Sequence, residues 1–351
     1  MPAFDIDTLH AQLDQWAAAH HHEGVTVPRP EVMPGHAGLS FGFRVEFRGQ
    51  VVEELVVRLP PKGVRRSGNT DVLRQVPLLR ALGAAGVPVP PVPWFDADER
   101  WFGVPYIMTT KLPGATYQVR DPDPAVADIA PGEALVQAIE ALASIHTFDW
   151  RTHLADWEEP KQLEQEIRFW DPILAKSADP EWITLGERVR DRLLATIPTA
   201  GEVGVFHGDF QTNNVLFHRG RLTAVLDWEI SGIGDQLLDM GWLLMMNDAA
   251  SWAHGAEIPE LPPFEELVAR YAAAAGRDVS FDDVAWYRAL AGYRFGVISC
   301  FNVMLHRTGK RPDAEWEHIA PSVEYLFGRA GELLDGEPGP AMRGVGAPAV
   351  S

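Results

Sequence analysis

A single cysteine, Cys300, in 351 residues leaves no internal disulfide to staple the chain and suits a reducing compartment. No basic-then-apolar leader is present either, because the opening "MPAFDIDTLHAQLDQW" is acidic and amphipathic. No apolar run approaches the ~20 residues that a membrane-spanning helix needs. These absences together lead to the expectation of a cytoplasmic protein with no membrane partner. Positive charge is scarce, with 30 Lys and Arg against 49 Asp and Glu and a net charge of -19. That balance argues against nucleic acid as a partner, since such binding rests on neutralising phosphates. It suits a cationic or metal-complexed ligand, and equally serves solubility. There is no internal repeat and no clean Gly-x-Gly-x-x-Gly loop. What is present is an ordinary globular composition, 46% hydrophobic, in a chain too long for one core, so two lobes are expected.

The apolar spacing changes along the chain. Phe4, Leu9, Leu13 and Trp16 recur at helical intervals, so residues 4–20 read as a helix whose end carries the polar run His20 to His22. From Leu39 the period becomes two: "FRVEF", a turn at "RGQ", then "VVEELVVRLPP", a β-hairpin with Leu55, Val57 and Leu59 on one face and Val56 and Arg58 on the other. A helix interrupted or restarted at Pro77 follows, then the apolar strand "VPYIMTTKLPG" with its Pro-Gly stop. After Gly114 helices dominate, at 134–146, 161–174, 182–195, 263–276, 281–307 and 315–334. The pattern predicts an α+β protein with a small antiparallel β-rich lobe over residues 1–111, a larger mostly helical lobe over 112–335, and a flexible Gly/Pro/Ala-rich tail over 336–351.

One hairpin breaks the helical run. "VFHGDFQTNNVLF" and "LTAVLDWEISGIGD" each end an apolar stretch by delivering polar groups: His207, Asp209, Asn214 and Asp227. Singly, Asp and Asn at strand ends are turn chemistry. Together, Asn214 and Asp227 offer two oxygen donors of the kind Mg²⁺ prefers, and Asp209 is left to accept a proton from an alcohol. A base and two metal ligands are the minimum set for phosphoryl transfer from a nucleotide.

The pair "HGDFQTNN" and "LDWEISGIGDQLLDMGWL" resembles the aminoglycoside phosphotransferase and choline kinase-like family, whose members share the two-lobed protein-kinase fold. The resemblance runs from about Pro34 to Leu334. It implies ATP and Mg²⁺ as cofactors and a small-molecule hydroxyl as acceptor. It makes Asp209 the catalytic base, Asn214 and Asp227 the metal ligands, His207 a brace of the catalytic loop, and Asp235 and Asp239 structural. For the nucleotide it implies a phosphate loop tipped by Gly38, Leu39 and Ser40, and an adenine contacted by the Thr109 carbonyl and the Lys111 amide beside Met108. Two departures stand out: Arg58 in place of the family's phosphate-binding lysine, and Gln75 in place of the glutamate that pairs with it. Asp71 or a large-lobe carboxylate would then pair with Arg58, or the phosphates alone would hold it.

A branch fused to acyl-CoA dehydrogenases has a similar "LR…PP" strand ending, so a hydroxyacyl-CoA kinase is the first alternative. A non-catalytic nucleotide-binding regulator is the second, and a metal hydrolase using His207, Asp209 and Asp227 the third. Acceptor choice is expected to lie in the helices and loops around 150–185 and 255–320. The tryptophans Trp150, Trp157, Trp170 and Trp182 read as packing residues.

Overall fold

The computed structural model describes residues 5–33, 39–119, 121–199, 201–255, 257–258 and 260–336. Helix α1 (Ile6–His20) is capped by Asp5, whose carboxylate accepts the Thr8 amide at 2.9 Å. Of the predicted stripe, Leu9, Leu13 and Trp16 are buried, with Ala17 beside them, while Phe4 lies outside the described residues. Strands β1 (Val25–Thr26), β2 (Glu31–Val32), β3 (Ser40–Phe47) and β4 (Gln50–Arg58) follow. Then come helix α2 (Gln75–Ala84) and strands β5 (Trp94–Asp96) and β6 (Tyr106–Thr110). All pairings are antiparallel, in the order β1-β3-β4-β6-β5 with β2 on β3.

The two faces of this sheet have different work. Leu55, Val57, Leu59, Tyr106 and Met108 pack against the α1 stripe, and the Trp16 indole donates to the Tyr106 hydroxyl at 3.0 Å. The alternate residue Ile107 lies on the opposite face, in a core that also holds Val76 and Leu79 of α2. Arg58, opposite Ile107 in the β4–β6 register, shares that face. Pro77 falls in the first turn of α2, where its missing amide has no helical partner to lose, so the helix starts at Gln75 instead of being interrupted.

The remaining elements are β7 (Ala115–Thr116), α3 (Pro131–His146), α4 (Trp150–His153), α5 (Leu163–Arg168), α6 (Asp171–Leu174) and α7 (Pro180–Ala195). They continue as β8 (Val203–Phe206), β9 (Val215–His218), β10 (Arg221–Val225), β11 (Gly232–Asp235), α8 (Leu237–Asn247), α9 (Phe264–Ala275), α10 (Phe281–Arg307), α11 (Glu315–Ile319) and α12 (Ser322–Leu334). The architecture is the two-lobed, protein-kinase-like α+β fold. Two expected single helices are broken, 161–174 before Pro172 and 315–334 at Pro321, because proline tolerates only a helix start. The tail expected from residue 336 lies, beyond Gly336, outside the described residues.

The two lobes share one apolar core. Val76, Leu79 and Ile107 are continuous with Leu135, Ala138 and Leu142 of α3 and with Val205, Phe210, Val215 and Val225 around the hairpin. The hairpin therefore packs against α3 in the same core that holds α2. Behind it, α8 crosses the 27-residue α10 so closely that a Cβ on Gly241 would sit 2.4 Å from the Tyr287 backbone carbon. Glycine is required there for close approach, and the crossing fixes the start of α8, where Asp239 sits.

Candidate active site

The turn after β8 is held from below by Asp239, which is fully buried. Its two carboxylate oxygens accept the backbone amides of His207 at 2.6 Å and Gly208 at 2.7 Å. Oδ2 also faces His146 Nε2 at 3.2 Å. Burial alone would push the Asp239 carboxyl up, but the His146 hydrogen bond and the His207 amide hold it below the usual aspartate range. Burial in turn lowers His146, against the pull of the Asp239 carboxylate. Gly208 has φ +88°, and a Cβ there would meet the Ile230 carbonyl at 2.8 Å, so the turn can only be built on glycine.

His207 braces two loops at once. One ring nitrogen, Nε2, donates to the Leu226 carbonyl at 2.7 Å, and Nδ1 accepts the Asp209 amide at 3.2 Å. Both nitrogens are occupied by protein groups, which leaves none for a metal and removes the footing of the hydrolase alternative. Asp209 receives the Asn214 amide nitrogen on Oδ2 at 2.8 Å and the Gln211 amide nitrogen on Oδ1 at 2.7 Å. Burial, with the Asp227 charge adding to it, raises the Asp209 carboxyl above its ordinary value despite the Asn214 hydrogen bond. A raised carboxylate is the better proton acceptor at neutral pH.

Asn214 and Asp227 stand at the same end of the β9–β10 pair. Val215 pairs with Val225, and just beyond it the Leu226 amide donates to the Asn214 carbonyl at 2.7 Å. Because the Asn214 amide nitrogen is spent on Asp209, its side-chain oxygen is left available as a ligand. Asp227 adopts left-handed backbone angles, φ 60° and ψ 60°, a conformation that Asp tolerates and that clusters at functional turns. This donor set, one carboxylate and one carboxamide oxygen, fits Mg²⁺, which is bound through few protein oxygens and completed by water and phosphate.

The small-lobe expectations fare unevenly. Arg58 reaches this turn: its Nη1 donates to Asp227 Oδ1 at 2.8 Å and its Nη2 to Glu229. Burial alone would lower the guanidinium's pKa, but the two carboxylates raise it. The pairing carboxylates thus come from the large lobe. Asp71 instead caps the following turn by accepting the Leu73 amide at 3.1 Å, and Gln75 is buried with its side-chain nitrogen unpartnered. Leu39 and Ser40 lie at the sheet edge by Arg58, with Ser40 opposite it in register, whereas Gly38 lies outside the described residues. Met108 is fully buried against α1, so it does not flank the cleft; Ile107 is the residue on that face. The Lys111 amide donates to the Glu54 carbonyl at 2.9 Å and is not free for an adenine. Thr109, paired with Val56, remains inside the sheet.

Glu229 and Arg74 are site residues that the sequence reading passed over. Arg74 stacks 4.9 Å over Trp157, pairs with Glu158, and donates to the backbone carbonyls of Glu229 and Ser231, so a small-lobe side chain holds the large-lobe turn. The available signal for Glu229 was a second carboxylate two residues after Asp227. Beside Asp209 opens a cavity of about 1580 Å³. Trp170, Phe206, Trp242 and Phe295 supply its aromatic walls, and Lys161 and Arg294 its nearer cations. Its lining comes largely from residues 158–173 and 242–319, which overlaps the segments expected to choose the acceptor. Trp170 therefore forms cavity wall as well as packing.

Comparison with known proteins bears on the family and the fold. The family model described as "Phosphotransferase enzyme family" matches residues 31–290. Among curated proteins, acyl-CoA dehydrogenase family member 11 of Gallus gallus is 26% identical over 260 residues, covering 70% of this chain and 33% of its own. The chain thus spans about a third of that relative's length. Among solved structures, a putative aminoglycoside phosphotransferase from Ralstonia eutropha superposes with a TM-score of 0.73 at 21% identity, over 92% of this chain and 98% of that one. The GDP and kanamycin complex of APH(2")-IIia superposes with a TM-score of 0.62 at 16% identity, over 92% and 99%.

Proposed function

Because the chain belongs to the phosphotransferase enzyme family, we propose that it transfers the γ-phosphoryl group of Mg²⁺-ATP to a hydroxyl of a small molecule seated in the cavity beside Asp209. The observation that carries this reading is the constellation at one hairpin end, where Asp209, Asn214, Asp227 and Arg58 converge. Asp209 accepts the acceptor's hydroxyl proton, and the Gln211 and Asn214 amides fix its two oxygens for that task. Asn214 and Asp227 would hold Mg²⁺, which supplies charge neutralisation on the phosphates when bound. Arg58 offers a planar, bidentate donor to the phosphate oxygens. Binding of a nucleotide and of a small acceptor by relatives of this fold, GDP and kanamycin in one complex, supports the same assignment.

A second acceptor class has its own support. The relatives named for acyl-CoA dehydrogenases share this region, and the Lys161 ammonium lies 5.2 Å over the Phe206 ring with no hydrogen bond or ion pair among the described residues. A cation so placed suits an anionic acceptor such as a hydroxyacyl-CoA. The experiment is a nucleotide-consumption screen with ATP and with GTP, over aminoglycosides, macrolides, choline, amino alcohols, sugars and hydroxyacyl-CoAs. Mg²⁺-dependent turnover with one acceptor, abolished in Asp209→Asn, supports the reading. Nucleotide binding without turnover on any of them favours the non-catalytic regulator.

A further inference from the structure

Arg58 is a small-lobe cation whose two partners, Asp227 and Glu229, both come from one large-lobe turn. Its side chain is only 18% exposed, so it is costly to leave unpaired. Yet Asp227 is also the carboxylate that a metal ion would claim. Arg58 occupies Asp227 Oδ1, so a metal ion bound there would share that carboxylate with the guanidinium and weaken its hold on Arg58. Glu229 is placed to keep the other half of the fork.

The turn is built to hold Glu229 in that position. The Trp228 indole is buried and donates to the Val225 carbonyl at 2.9 Å. On the other side the Glu229 and Ser231 carbonyls accept from Arg74. With its backbone pinned on both flanks, the Glu229 side chain loses little freedom in meeting Arg58. Among the described residues of the small lobe, Asp71 caps a turn and Gln75 carries no charge, so neither pairs with Arg58.

We infer that Glu229 is the positioning residue that holds Arg58 toward the nucleotide phosphates, which would leave Asp227 available to a metal ion. The inference rests on the proposed function. It adds that the Arg58–Glu229 bond would be kept when metal and nucleotide are bound.

The test is a double-mutant cycle read in equilibrium binding of Mg²⁺-ATP, with thermal melting to confirm that each variant is folded. Arg58→Ala and Glu229→Gln should each weaken binding on the order of tenfold, as expected for a truncated, desolvated charge pair. The double variant should bind no more weakly than Arg58→Ala alone, because Glu229 acts through Arg58. Glu229→Asp should recover part of the loss, and in turnover the KM for ATP should change more than kcat. Unchanged affinity in a folded Glu229→Gln, or losses that simply multiply in the double variant, would overturn the inference while leaving the proposed function standing. Failure of the wild-type protein to bind Mg²⁺-ATP would overturn both.

Discussion

The turn that carries Asp209 and the edge of the small lobe that carries Arg58 are built on different plans. From His207 to Asn214 the turn is tied mostly to itself and to the buried Asp239, which takes two of its amides, while His207 accepts from Asp209 and Asn214 donates to Asp209. Most of its bonds close within the hairpin and the start of α8, and Tyr117 and Arg294 add one each, to the Thr212 and Gly208 carbonyls. Arg58 and Arg74, by contrast, find their partners more than eighty residues away, across the cleft. A self-contained turn keeps its geometry whatever the lobes do. A cross-lobe bond can change partners.

The first way to break this comparison is at the base. Asp209→Asn should cost ~10²–10⁴ in kcat, the range for loss of a general base, with nucleotide affinity nearly unchanged. Steady-state and single-turnover rates on an identified acceptor measure it. Full turnover in the variant would remove Asp209 from the mechanism.

The second concerns the support beneath the turn. Asp239→Ala leaves two buried amides and His146 Nε2 unpaired, so stability should fall by roughly 3–5 kcal/mol, far more than for any substitution of Arg74 at the cleft edge. Denaturant unfolding of the two variants side by side checks the ranking. If Arg74→Ala costs as much, the turn is not self-contained.

These two substitutions probe what was already legible in the chain, and the rest of the site shows where legibility stopped. Asp209, Asn214 and Asp227 could be read because their chemistry is local: a few residues at the ends of two adjacent strands, in a spacing that turn chemistry alone does not call for. The α1 stripe, the β3–β4 hairpin and the alternation that separates Arg58 from Leu55 and Val57 could be read for the same reason. Glu229 could not, because its meaning depends on an arginine 171 positions earlier in the chain. Met108 and Ile107 show a second kind of failure. A strand's parity decides which residue faces the cleft, and an offset of one residue exchanges the two faces. Lys111 shows a third, since its amide looked free until the sheet extended one residue further to reach the Glu54 carbonyl. The helix breaks at Pro172 and Pro321 belonged to signals present in the sequence but outweighed by apolar periodicity.

A third prediction sharpens the role of the helix crossing that seats Asp239. Gly241→Ala would place a methyl 2.4 Å from the Tyr287 backbone carbon, so α8 must shift away from α10. Overpacking of this kind costs typically ~1–3 kcal/mol. Activity should fall beyond the loss of folded protein, because the shift moves Asp239 and with it the His207 and Gly208 amides. Retained kcat per folded molecule, read from melting and rate data together, would separate the crossing from the site.

The smallest effect is one of pH. Burial and the Asp227 charge raise the Asp209 carboxyl, so it stays protonated to a higher pH than an ordinary aspartate, whose pKa is ~3.9. The acid limb of kcat/KM should therefore lie above that value, with activity rising as Asp209 loses its proton. A profile flat down to the ordinary aspartate range would mean either that the base is another group or that the site is better solvated than its burial indicates.

The most direct test of the account is the structure of the protein with Mg²⁺ and a non-hydrolysable ATP analogue. The account predicts one Mg²⁺ within ~2.0–2.1 Å of oxygens from both Asn214 and Asp227, with Asp209 facing the cavity and ligating no metal. A metal ion held elsewhere, or Asn214 and Asp227 oxygens directed to opposite sides of the hairpin, would contradict it.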